Sequence, residues 1–296
     1  MTIDTQAKLA VAYSGLVWGL FWLPLRGLDA AGIRGMWALL LFYGVPAALA
    51  LPWLLARWRP AVQGGFWLNL LGFATALPLV LYSVAVLQTE VVRAMLLFYM
   101  SPVWSTGLAW LVLGERITAV RWLTLLLAFL GLGTMLGTEQ GLPSLSNLGD
   151  WSALLAGLGW SVSTVLLRLK QGFAPADLFH HNVAWSAMLA LPLVWLFAPA
   201  PAPSLAAMLG QLWWLAPTLV AVVLTGVYAS MWGAPKLSPA LVGILYMTEI
   251  IAGSISAALW AGEPFGWREA AGIALIALAA SLESLRDLWL GRRAPN

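Results

Sequence analysis

The sequence predicts an all-α integral membrane protein, with ten transmembrane helices in two inverted five-helix repeats around a central cavity. Three observations predict it. Of 296 residues, 61% are hydrophobic and only 9% charged, whereas a soluble domain carries about 25% charged residues. Apolar runs of the roughly 20 residues that a bilayer-crossing helix needs recur along the whole chain. Stretches of the first half also reappear in the second.

The runs fall at about 9–26, 34–56, 66–87, 91–113, 118–137, 150–168, 178–198, 211–233, 238–261 and 266–288. Connections as short as Leu87–Glu90 make neighbouring helices antiparallel. Residues 9–26 have too weak a basic start for a cleaved signal peptide. If the N-terminus is cytoplasmic, only Arg26, Arg34, Arg93 and Arg268 of the fifteen lysines and arginines face outward. Basic residues collect on the cytoplasmic side, so both termini are expected inside, in the cell inner (plasma) membrane. Among the inner residues are Lys8, Arg57, Arg59, Arg116, Lys170, Lys236, Arg292 and Arg293.

Gly15–Arg26 (GLVWGLFWLPLR) matches Gly157–Arg168 (GLGWSVSTVLLR) at an offset of 142, with five of twelve positions identical, Trp18/Trp160 and Arg26/Arg168 among them. Tyr99-Met100 and Gly114-Glu115 recur as Tyr246-Met247 and Gly262-Glu263. The chain therefore divides into a first five-helix repeat (1–137), an outward-facing connecting loop (138–149) and a second five-helix repeat with a short tail (150–296). Five is odd, so the second repeat enters the membrane in the opposite sense. Secondary transporters are often built this way and bind solute near the midplane, between the halves.

With ten helices in two halves, and LLFYMSPVWSTGLAWLVLGERIT in the fourth, the chain resembles the drug/metabolite transporter superfamily, more narrowly its EamA-type exporters. Tyr99, Pro102 and Trp160 resemble the pattern of aromatic amino acid exporters in that group. Glu249 stands where many relatives carry proline. The resemblance implies export of small metabolites by alternating access, with amino acids of aromatic or other apolar side chain as the leading substrate class. Exporters of cationic drugs or polyamine-like solutes are the alternative. A receptor or scaffold that moves nothing is the remote one.

Glu249 is the only charged residue between Ser238 and Gly262. A charge at mid-membrane costs roughly 2.5–3.5 kcal/mol on insertion scales, so such a residue faces a cavity or a partner. Helical spacing puts Tyr246, Glu249, Gly253 and Ser256 on one face, with Ile251, Ile255 and Leu259 beside it. Glu249 is expected either to carry a proton or to meet a substrate ammonium. Pro102 predicts a kink beside Tyr99. Trp18, Tyr82, Tyr99, Trp160, Thr164, Tyr246 and Glu249 are the candidate substrate-binding residues. Trp151, Trp213 and Trp267, near run ends, read as interfacial anchors.

Small residues at Gly15/Gly19 and Gly133/Gly137 predict close helix contacts. Glu90 and Arg93, three apart, predict an ion pair. No cofactor or metal is implied. There are no cysteines, and the pair His180-His181 lacks ligand spacing. No basic run marks a nucleic-acid partner. The aspartates (Asp4, Asp29, Asp150, Asp177 and Asp287) sit at run ends or outside, which argues against an intramembrane protease. The expected partners are a small solute, the lipid bilayer and, through Glu249, protons.

Overall fold

The computed structural model describes residues 3–56, 65–114, 119–136, 145, 147–170, 172–198, 201–237, 242, 245–263 and 265–291. Among them every regular element is helical. Most of the connecting loop 138–149 lies outside the described residues, as do Glu115, Arg116, Gly137 and the basic residues Arg57, Arg59, Arg292 and Arg293.

The first apolar run forms two helices, α1 (Ile3–Gly19) and α2 (Trp22–Ala30). The break at Leu20–Phe21 follows from Pro24. Its ring clashes with the carbonyl four residues back, that of Leu20, and it has no N–H to donate there. The Leu20 carbonyl accepts from Leu23 instead, at 3.0 Å. Then come α3 (Met36–Ala56) and α4 (Gly65–Gln88). The fourth run is again divided, into α5 (Val91–Phe98) and α6 (Ser101–Leu113). The kink that Pro102 predicts is this interruption at Tyr99–Met100, where the Phe98 carbonyl loses the helical partner that residue 102 would supply.

Next are α7 (Ala119–Leu136), α8 (Leu148–Leu169) and α9 (Pro175–Phe197). A short α10 (Leu205–Leu209) leads to α11 (Leu212–Thr218), a π-type segment (Leu219–Leu224) and α12 (Thr225–Gly233). The chain ends with α13 (Met247–Ser256), whose last turn widens over Ala257–Ala261, and α14 (Trp267–Gly291). Ile3–Ala30, Gly65–Gln88, Val91–Val112, Leu148–Leu167 and Leu212–Ser230 are each long and apolar enough to cross a membrane.

Helices distant in sequence pack together. α1 lies against α12 and α13, α8 against α4, α5 and α6, α9 against α3 and α4, and α14 against α7. Glycines set the closest approaches. Gly19 meets the backbone of α13, where a β-carbon would stand 2.5 Å from the Glu249 carbonyl oxygen and 2.8 Å from the Gly253 nitrogen. On α8, a β-carbon at Gly157 would stand 2.6 Å from the carbonyl oxygen of Phe98, the group that Pro102 leaves without its usual donor. Gly133 does not play the part its spacing predicts: among the described residues, no atom from outside its own stretch of helix lies within 4 Å of its β-position. It is Gly131, two residues earlier and turned toward α14, that touches Ile276 and the Gly272 carbonyl.

Several of the most deeply buried large side chains, Leu25, Leu28, Ile33, Met36, Leu39 and Phe42, gather where α2 and α3 meet. Trp151, Trp213 and Trp267 are exposed, and Ile251, Ile255 and Leu259 form an exposed strip on the ninth run. Lipid-facing side chains and interfacial anchors have this placement.

Candidate functional site

The site is assembled around the break between α5 and α6. Tyr99 ends α5 there, and its side chain is hydrogen-bonded to Glu249, two residues into α13. A carboxyl in an apolar bundle must find a donor, and the donor comes from a helix far away in sequence. Both residues are half-buried.

Aromatic rings surround the pair. Phe98 stands at their centre: its ring lies 5.1 Å from Tyr82, 5.9 Å edge-on from Tyr99 and 6.3 Å from Trp160. Tyr82 continues to Phe21 at 6.3 Å, and Phe21 to Trp18 at 5.5 Å. Five predicted residues, Trp18, Tyr82, Tyr99, Trp160 and Glu249, thus belong to one chain of contacts across α1, α4, α5, α8 and α13. The two rings that join them, Phe21 and Phe98, escape sequence reasoning. Each sits in an apolar run, and their only signal is adjacency to a helix break.

Two predicted residues are used differently. Thr164 turns back to its own helix, donating to the Ser161 carbonyl at 2.8 Å. The Tyr246 hydroxyl is hydrogen-bonded to Ser230 on α12. The far end of the Glu249 stripe is packing surface. Gly253 abuts Met95 and the Gly19 carbonyl, and Ser256 accepts from Trp22 Nε1 at 3.0 Å. Thr248 Oγ1 donates to the Ala12 carbonyl at 3.0 Å, tying α13 to α1. His180 and His181 bond to carbonyls of their own helix, Ala176 and Asp177.

A polar knot closes the end of the bundle beyond Trp22. Arg26 donates to the carbonyls of Val86 (2.9 Å) and Thr89 (2.6 Å), and its Nη1 lies 3.6 Å from Glu263. Both carboxylate oxygens of Glu263 accept backbone N–H groups at the start of α5, from Val91 (2.5 Å) and Val92 (2.9 Å). Arg93 grips Asp150, Nε to Oδ1 at 2.8 Å and Nη2 to Oδ2 at 2.9 Å. This corrects the pairing with Glu90 that the spacing predicts. Asp150 is fully buried and also accepts from Thr89 Oγ1. Two parallel bonds to a desolvated carboxylate outweigh an exposed three-residue pair. A cleft of about 810 Å³ opens beside this knot, lined by Trp22, Arg26, Asp29, Glu90, Trp260 and Glu263 among others.

Comparison with known proteins bears on what such a bundle does. No curated protein matches the chain. Solved structures do: one, titled only "Crystal structure of protein", shares 18% identity and covers 97% of this chain and 99% of its own, with a TM-score of 0.62. That likeness establishes the fold alone. The model of the EamA-like transporter family matches residues 6–137, the part that holds Trp18, Tyr82 and Tyr99. Over these residues, somewhat under half of the chain, the protein is similar to the EamA-like transporter family, a family of membrane transporters of small solutes and not of enzymes.

Proposed function

We propose that the protein is a secondary exporter of amino acids with aromatic or other apolar side chains, working across the inner membrane by alternating access. The observation that carries this reading is the Tyr99–Glu249 pair and the rings around it. A carboxyl offers a partner for a substrate ammonium. Aromatic faces attract the same cation and stack on a flat side chain. Glu249 is also the residue placed to exchange a proton when no ammonium occupies the site.

Two features support two inverted halves, 1–137 and 150–296. Exchanging the halves exchanges the packing partners: α1 against α13 becomes α8 against α5 and α6, and α1 against α12 becomes α8 against α4. Tyr99 and Tyr246, which correspond in sequence, both stand at a helix terminus. Binding between such halves, with one rocking on the other, is how repeat-built transporters work.

Flux of radiolabelled solutes into proteoliposomes tests the reading. Export of aromatic amino acids supports it, and the absence of flux for any solute would leave a receptor or scaffold. A second reading, export of cationic drugs or polyamine-like solutes, rests on Arg26 being held by Glu263 and two carbonyls, so that it offers little to a substrate carboxylate. Flux of a quaternary amine or a diamine, without amino acids, would select it.

Tyr99→Ala and Trp160→Ala should each reduce substrate affinity about 2- to 30-fold, the range that one cation–aromatic contact supports. Folded protein in the membrane should stay level. Wild-type affinity in both variants would reduce the two rings to packing.

Both termini are proposed to be cytoplasmic, with residues 138–149 outside. In this cysteine-free chain, Ser144→Cys should react with an impermeant maleimide on intact cells and Arg292→Cys should not. The reverse pattern would invert the topology.

A further inference from the structure

We infer that the knot at the Arg26 end is a latched gate, with Glu263 as its pin and α5 as the lever that the pin holds. This rests on the alternating-access reading above, because a gate matters only if that end opens. The first ground is how α5 is capped. The first turn of a helix exposes N–H groups and carries partial positive charge. The residue in the local capping position is Glu90, whose side chain makes no capping bond. Glu263 takes that role from the far end of the ninth run, 171 and 172 positions away from the donors it satisfies. A helix capped from a distant helix starts properly only while the two stay together.

The second ground is what α5 connects. It is eight residues long, roughly 12 Å. One end carries the pin. The other ends at the interruption beside Tyr99, the partner of Glu249. A rigid short helix between a releasable cap and a break is a lever with its pivot at the solute site. The third ground is that release leaves Arg26 satisfied. It keeps the Val86 and Thr89 carbonyls, so opening disturbs mainly the bonds of Glu263. The cleft beside Glu263 lets water take its place. The Arg93–Asp150 clasp still ties the first turn of α5 to α8, so release parts α5 from Glu263 without detaching it from the bundle.

Accessibility of a buried reporter tests the latch. Ala94, on α5 one turn past Val91, and Ala190, on α9, are both fully buried. Ala94→Cys and Ala190→Cys are placed separately in the full-length chain, purified into nanodiscs so that both faces are reachable, and timed against a maleimide. Glu263→Gln keeps the shape of the pin but has one acceptor oxygen and turns an amide toward the Val91/Val92 donors. It should raise labelling at position 94 about tenfold or more, the effect of losing a charge-assisted hydrogen bond, and leave position 190 unchanged. Glu263→Asp, which keeps the charge but shortens the reach, should raise it less and serves if the Gln variant does not fold. An unchanged rate at 94, or an equal rise at 190, would reduce Glu263 to an ordinary stabilising cap. Solute flux of the wild-type protein, measured in parallel, separates the two readings. Flux with an unmoved reporter rejects the latch alone, and a released reporter without flux for any solute rejects export alone.

Discussion

Glu249→Gln should remove most transport while leaving the amount of folded protein in the membrane unchanged. Glutamine has the same shape and can still accept from the Tyr99 hydroxyl, so the contact between α5 and α13 survives. What it lacks is a charge and an exchangeable proton. A hydrogen bond to a charged group contributes about 1.5–3 kcal/mol, so losing an ammonium partner should weaken binding roughly 10- to 150-fold. Binding and transport measured at several pH values divide the two roles. If Glu249 meets the substrate amine, affinity falls. If it carries the proton, affinity is retained and the response to a pH gradient disappears. A glutamine variant with wild-type binding, rate and pH response would leave Glu249 with a structural role only.

The second large effect is expected at Gly19. A β-carbon there would meet backbone atoms of α13, the Glu249 carbonyl oxygen at 2.5 Å and the Gly253 nitrogen at 2.8 Å. Backbone yields less readily than the end of a side chain. Gly19→Ala should therefore push α1 from α13 and cost about 1–3 kcal/mol, as overpacked cores do. It should also impair transport, because the displaced turn carries Glu249. Gly133→Ala is the control: its β-position is open, so the helix should be unaffected or stabilised by up to about 1 kcal/mol. Thermal unfolding in detergent compares them, and equal melting temperatures would contradict the close contact.

How far the sequence carries the reader depends on the physical range of each signal. Apolar run length and proline act locally, so the helical segments and the break before Pro102 can be read from it directly. Side-chain partners depend on how each helix is rotated about its axis, which a nearly all-apolar run does not record. Tyr99 and Glu249 are recognisable as candidates separately, but their bond is not. The same ambiguity misplaces the glycine contact at Gly133, since a small-residue spacing defines a face without saying where it points; the neighbour-facing residue is Gly131. Arg93 shows a different limit. Nearness in sequence favours Glu90, yet the buried, bidentate Asp150 is the better partner. Glu263 reads only as an echo of Glu115, because its cap is made to donors 171 and 172 positions away. The one local hint is a helix start whose own capping position holds a glutamate and not a serine, threonine, asparagine or aspartate.

The Phe98 carbonyl, left by Pro102 without its helical donor and approached by Gly157, links positions on two different helical runs. An alanine at 102 alone would let the backbone bond re-form and straighten the run that α8 rests upon. Any larger residue at 157 alone would collide with the Phe98 carbonyl oxygen, 2.6 Å from the β-position. Each substitution harms the fold for a reason that the other position sets. Proline 102 and glycine 157 are therefore a single unit of inheritance: related chains should keep both or replace both, and a laboratory selection starting from a change at one position should recover function by changing the other.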